Sequence, residues 1–495
     1  MFFGFFANKL RFSTFIETRF SRHAGYRNTQ QKKYRPVVES LERREVLTAG
    51  DLDLSFGSGG FVVNDLSPSN DAAIDVIFQA DGKIVAGGYT TNSRGERDSV
   101  LRRYNTNGSL DPSFGTNGMT LTDFKGGWND GGLALAAQPD GKIIGAAASY
   151  NPQDFTFPYD ARWGVARYTS NGALDKSFGS NGKIVTDLSN GTDIPGGVAL
   201  QADGKIVVSG STNGFAGGDN FFVARYNANG STDTTFGAGK GYVITDFGGS
   251  DASSDMAIQG DKIVLVGRAS GGSLGDINHF AIARYNTNGS LDSTFGSGGK
   301  VLTALNDGAL DVLVQADGRI VVSGGTYVAR YLSLNGSLDP SFGVGGAGYV
   351  ATAGASLTAQ ADGKLVLGHN EFFYEDLGDG SNNLSRRFVL TRISGTDGSI
   401  DTSFGINGRV TTYRTESGKR GDNELNAVAI QADGRIVIAG QTGVEAAGKV
   451  NRKFTLVRYL GDGLPTATSL AAASVADTAL MLLMDDFVAA KRRRG

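Results

Sequence analysis

The chain has 495 residues and no cysteine, which excludes a disulfide framework and thiolate metal sites, and it has no apolar run near the roughly 18 residues of a membrane span. With 73 glycines, only 9 prolines and 40% hydrophobic residues it has the composition of a turn-rich folded protein, not a disordered one. The net charge of −3 is uneven: residues 1–50 hold ten Lys and Arg against four Asp and Glu, so the body is acidic and is not read as a nucleic-acid binder.

Residues 1–50 are basic and rich in Phe, with aromatics and cations interleaved in "MFFGFFANKLRFSTFIETRF". They lack the unbroken apolar stretch of a standard signal peptide. The segment closes on "LERREVLTAG", where Leu41 to Leu47 resembles the Leu-Glu-x-Arg-x-Leu-Leu element near the N-terminus of many large planctomycete surface proteins. Val46 replaces the first Leu of the final pair, and Arg43 stands where Pro is frequent. The resemblance implies export and an extracellular or cell-surface location.

From residue 51 to 464 the chain repeats itself. "YNTNGSLDPSFG" at 104–115 returns as "YTSNGALDKSFG" at 168–179, "YNANGSTDTTFG" at 226–237 and "YNTNGSLDSTFG" at 285–296. The Phe of this element falls at 56, 114, 178, 236, 295, 342 and 404, which marks seven units. Each unit reads as four short strands. One follows Phe-Gly ("KIVTD", 183–187), one ends in Gln ("AIDVIFQ", 73–79), one follows Asp-Gly ("KIVVSG", 205–210), and the last is of the type "FFVARYN" (221–227). Asp-Gly between the second and third strands is a hairpin signal; unit four has the shorter "QGDK". Ile206, Val207 and Val208 run together, so the strand is covered on both faces. Sheets sandwiched between neighbouring sheets are the geometry of an all-β, seven-bladed β-propeller of four-stranded antiparallel blades. With all four strands drawn from one unit, closure is expected to rest on face-to-face packing of blade seven on blade one.

An Arg on the last strand and an Asp in the crossing recur together, as in Arg103 and Asp111, Arg225 and Asp233, and, across the closure, Arg458 and Asp53. A catalytic site needs one copy, so this pair is read as structural. The whole pattern resembles the delta-60 repeat family, a bacterial β-propeller group. Its consensus, roughly Arg-Tyr-Asn-x-Asn-Gly-Ser-Leu-Asp-x-Ser-Phe-Gly and then Gln-x-Asp-Gly-Lys-Ile, matches nearly every unit. The resemblance implies the propeller and adds little about activity.

Length variation is confined to the loops on one face, where binding sites usually sit. Two of these loops hold exposed-aromatic candidates. Tyr150, Phe155, Tyr159 and Trp163 fall in 147–164, and Phe372, Phe373 and Tyr374 fall in 368–387; Trp128 lies in another variable loop of unit two. Such clusters suit a protein or polysaccharide partner. "DLGDGSNN" (376–383) is an oxygen-rich candidate for Ca²⁺, without the ordered spacing of a known calcium loop. No other cofactor is expected. The three histidines, His23, His279 and His369, are far apart, and neither a Gly-x-Ser-x-Gly elbow nor a phosphate loop is present. The reading is therefore a non-catalytic, monomeric binding scaffold; the alternative is a polysaccharide-directed enzyme using carboxylates across a central funnel. Residues 465–495 read as a linker and one amphipathic helix, with Leu480, Leu483, Met484, Phe487 and Val488 on one face and a basic tail.

Overall fold

The computed structural model describes residues 48–152, 160–189, 191–215, 218–271, 277–376, 382–416, 419–446 and 449–462. The leader and the expected C-terminal helix lie outside the described residues. The described residues form a seven-bladed β-propeller of antiparallel blades. Blade three shows the pattern, with Asp193–Leu200 innermost, then Ile206–Phe215, Gly218–Tyr226 and, outermost, Tyr242–Thr245. Ile206 and Val208 pack toward blade two, while Val207 packs toward blade four. Neighbours on both sides are why these strands are apolar at consecutive positions.

The assignment of strands to blades differs from the expectation. The strand after Phe-Gly does not open its own blade; it is the outer strand of the blade before. Met119–Thr122, for instance, pairs with Arg97–Tyr104, the third strand of blade one. The physical reason is local: the crossing folds the chain straight back, so the nearest unpaired strand edge is the one just left.

Closure changes accordingly. Blade seven draws Asp422–Ile430, Ile436–Ala446 and Lys449–Tyr459 from the end of the ring, but its outer strand is Phe61–Asn64, paired antiparallel with the last strand from Phe61 against Val457 to Asn64 against Phe454. The ring is therefore latched by a strand from its beginning, not only by packing.

The latch includes the turn that precedes it. In blade one, Gly108 N–H donates to Asn105 O at 2.9 Å and Asp111 N–H to Arg103 O at 3.0 Å. In blade seven the same bonds run between chain ends, from Gly50 N–H to Leu460 O at 2.8 Å and from Asp53 N–H to Arg458 O at 2.9 Å. "TAGDLDLSFG" (48–57) thus plays the part of "TNGSLDPSFG" (106–115). Gly108 and Gly50 both need positive φ, +85° and +96°, and a side chain on either would strike the neighbouring core at Phe56 or Val410.

Candidate functional site: two faces and an axis

One face of the ring carries the Asp-Gly turns and the crossings. Here each Arg is fixed from several sides. Arg103 Nε donates to Asp111 Oδ2 at 2.9 Å, Arg225 to Asp233 at 2.7 Å, and Arg458 to Asp53 at 2.9 Å. These side chains are buried. The guanidinium also lies over the crossing Phe, 4.7 Å from Phe114, 4.4 Å from Phe236 and 4.3 Å from Phe56. Its Nη1 reaches into the next blade, to Ser170 O from Arg103 at 2.7 Å and to Thr106 O from Arg458. One residue therefore joins its strand, its crossing and its neighbour. Burial raises the Asp233 carboxyl, but the Thr235 hydroxyl and backbone N–H, with Arg225, outweigh it and hold the group at about 2. Blade six departs from the pattern. The crossing that its Arg392 would reach is split between the chain ends, and the Asp462 carboxylate takes the bond from Arg392 Nη1 at 2.6 Å.

The opposite face carries the hairpins between second and third strands and the loops between blades. The longest hairpin belongs to blade six, Leu365–Asp376 with Asn382–Ile393, twelve residues in each strand. Phe372 is 63% exposed and Tyr374 75%. They alternate with Glu371 and Phe373, so they share one side, with Leu384 opposite Tyr374 and Arg386 opposite Phe372. Asn370, on that same side, exchanges two bonds with Leu425 of blade seven, at 3.0 and 2.7 Å, so this side looks toward blade seven. Phe373 is half-buried on the other side, 5.5 Å from the Arg387 guanidinium.

The blade-two aromatics are placed differently. Trp163, expected in a variable loop, lies on the strand Ala161–Tyr168 and is fully buried. It stacks on Phe222 at 4.4 Å and donates Nε1–H to the Tyr226 hydroxyl at 3.2 Å. An indole with an apolar neighbour and a partner for its N–H is a core residue, and it offers no face to a ligand. Trp128 is half-buried between Lys125 Nζ, 3.5 Å from its ring centre, and Arg162, at 5.3 Å. Tyr150 is half-buried, with its hydroxyl 3.5 Å from Arg97 Nη1. Phe155, Tyr159 and the tip of the candidate calcium run lie outside the described residues. Among the described residues no group of three or more His, Asp or Glu is placed to hold a metal ion.

A third location emerges around the axis. The inner strands of blades one, four and five carry Asp75, Asp255 and Asp311, each just after a bulge. Their carboxylates accept backbone N–H groups of the following blade, Leu135 to Asp75 at 2.8 Å, Val312 to Asp255 at 3.1 Å and Leu357 to Asp311 at 2.7 Å. Ser356 repeats the contact in blade six, taking Val428 N–H at 3.1 Å. Burial pushes Asp75 up to about 6, against backbone hydrogen bonds that lower it, and the charge of Asp311 adds to the rise. Burial raises both Asp255 and Asp311; the neighbouring Asp311 raises Asp255 further, whereas the hydrogen bond from Asp255 works against the rise of Asp311. The sequence signal for this set is an Asp four residues before the Gln of the turn, present at Gln79, Gln259 and Gln315.

The chain is thus a β-propeller repeat protein. Segments 79–114, 158–178, 201–236, 259–295 and 315–342 match the family model described as "Domain of unknown function (DUF5122) beta-propeller". No curated protein matches the chain. Among solved structures it is similar to the polysaccharide lyase Uly1, at 11% identity over 86% of this chain and 94% of that one, TM-score 0.42. It is similar also to the β-propeller domain of the Trilobed protease of Pyrococcus furiosus, at 12% identity over 80% and 96%, TM-score 0.39. A further likeness is to the NanB sialidase of Streptococcus pneumoniae, at 10% identity over 81% and 71%, TM-score 0.32.

Proposed function

We propose that this protein is a non-catalytic, monomeric binding scaffold, exported or held at the cell surface, whose variable-loop face takes a protein or polysaccharide. The observation that carries the reading is the pair Phe372 and Tyr374, mostly exposed on one side of the longest hairpin. Aromatics that serve as packing are buried, as Trp163 is against Phe222 of the next blade; these two are not. Replacing both by Ala should abolish retention of the partner while thermal unfolding is unchanged. Equal loss of thermal stability would identify them as packing residues.

Export rests on the basic leader and on the resemblance of Leu41–Leu47 to the planctomycete surface-protein element. The repeat itself we assign to the delta-60 group on its consensus. Fractionation of a C-terminally tagged protein tests location: a cytoplasmic product with its first fifty residues intact sinks the export reading.

A second reading is favoured by the axial carboxylates. Asp75, Asp255 and Asp311 keep protons to higher pH than ordinary carboxyls, which suits acid–base work on a polysaccharide. Their bonds to the next blade give them a structural occupation already. Polysaccharide cleavage that disappears in Asp255→Asn and Asp311→Asn variants, with the ring still folded, would establish this reading over the first.

A further inference from the structure

We infer that the variable-loop face binds one neutral polysaccharide chain along a track from blade six across blade seven and blade one to blade two. This deepens the reading above and rests on it. The track begins at the platform of Tyr374 and Phe372, about 7 Å apart by strand rise, the scale of one sugar unit. It continues at Arg386, the cross-strand neighbour of Phe372. Arg386 Nη1 lies 2.6 Å from Glu424 of blade seven, and its Nε and Nη2 each lie 2.8 Å from Asp422. Arg452, 3.0 Å from Asp422, donates its backbone N–H at 3.0 Å to Asn70 Oδ1, just before the inner strand of blade one, the blade that carries Tyr89. Arg97 lies over the Tyr89 ring at 4.6 Å and meets the Tyr150 hydroxyl in blade two at 3.5 Å. Aromatic and planar polar groups therefore alternate across four blades.

The chemistry selects among partners. A stable protein interface centres on a contiguous apolar patch that excludes water, but the exposed apolar residues here are Phe372, Tyr374 and Leu384 of the hairpin and Tyr413 just after the outer strand of blade six, all at one end. A polyanion needs a run of uncompensated cations, yet Arg386 is closed by Asp422 and Glu424 and Arg452 is 3.0 Å from Asp422, which leaves Arg97, over the Tyr89 ring, as a single cation and not a run. A neutral glycan needs what is present. Its apolar C–H faces stack on aromatic rings, and its hydroxyls both donate and accept. Arg386 retains N–H donors beyond its ion-pair contacts, and carboxylates have spare lone pairs. Ion pairing fixes these groups beforehand, so little side-chain freedom is lost on binding. Several weak subsites in a row suit a polymer better than a single sugar.

The test is retention of the full chain on immobilised neutral glucan, mannan, xylan and galactan, with alginate as the polyanion. Expected is retention by at least one neutral polymer that survives high salt, is competed by the free polymer, and weakens tenfold or more in Phe372→Ala/Tyr374→Ala. Tyr150→Phe should weaken it less. Retention by none of the neutral polymers, or by alginate alone with elution by salt, overturns the inference. If the double variant instead loses a cross-linked protein partner, the glycan is wrong and the face is right. Retention by a neutral polymer that is unchanged in the double variant but lost in Asp255→Asn/Asp311→Asn makes both wrong and moves binding to the axis.

Discussion

The two faces of the ring are built from the same strands and differ in what they spend their side chains on. On the turn face the blades repeat one solution, in which Arg, Asp and Phe hold strand, crossing and neighbour together, with Asp462 standing in for the neighbour's carbonyl at blade six. On the opposite face the hairpins differ widely in reach: blade five turns after Ile320–Gly324, whereas blade six runs twelve residues to Asp376. A face that must close a ring has no freedom to vary, and a face freed from that duty can acquire a partner. The comparison predicts where substitutions hurt stability and where they hurt only binding.

The largest effect should come from the latch. Deleting residues 1–64 removes Phe56, the crossing that accepts Arg458, and the outer strand of blade seven. Deleting residues 1–47 removes none of them. The first variant is expected to lose cooperative unfolding and aggregate, and the second to unfold in urea like the full chain. A ring that tolerates the longer deletion would show that face-to-face packing suffices, as the repeat alone suggests. Next come single residues of the core. Trp163→Ala should cost about 3–5 kcal/mol as a buried large-to-small change. Arg458→Ala leaves Asp53 buried without its main partner and should cost a similar ~3–5 kcal/mol. Urea midpoints of both variants against the full chain check this.

Much of this was legible because the repeat spells out its own turns. The structure adds the cap of the crossing, in which Asp111 Oδ1 accepts from Ser113 N–H at 3.0 Å and from its hydroxyl at 2.6 Å. Arg-to-Asp pairing, including Arg458 with Asp53, followed from spacing alone. What sequence spacing does not decide is which antiparallel edge a short strand joins, so the strand after Phe-Gly was credited to the wrong blade. Trp163 misled for a related reason: aromatics at a strand start and at a loop tip look alike until the neighbour, here Phe222, is known. The axial Asp residues recur at a fixed place before Gln, but only the bulges of three inner strands and the closure of the ring bring them around one axis.

The axis and the turn face should also pull stability in opposite directions with pH. Asp75, raised from its ordinary 3.8 to about 6, keeps its proton in the folded ring after the unfolded chain has released its own. Its contribution is full below pH 4 and is lost as pH rises from about 4 to 6. Asp255 and Asp311 act in the same direction. Asp233 and Asp401, held at about 2, contribute fully above pH 4 and lose their contribution as pH falls toward 2. Urea unfolding across pH 2–8 should therefore show greatest stability between these windows, near pH 4. Asp75→Asn should make the limb above pH 4 shallower and leave the acid limb unchanged, and Asp233→Asn the reverse.

The smallest expected effect on stability is the most informative about function. Phe372→Ala and Tyr374→Ala remove side chains already in water, so folding should change by no more than ~0.5 kcal/mol, the range of ordinary surface substitutions. Asn370→Ala lies two residues below Phe372 on the same side but anchors the hairpin to Leu425 through two hydrogen bonds. It should cost about 1–3 kcal/mol by leaving buried backbone groups unpaired. Three midpoints measured side by side thus separate the outer hairpin, which is free to serve a partner, from its base, which serves the ring. If Phe372→Ala destabilised the protein as much as Asn370→Ala, the aromatic side of the hairpin would belong to the fold, and the division of labour between the two faces would fail where it matters most.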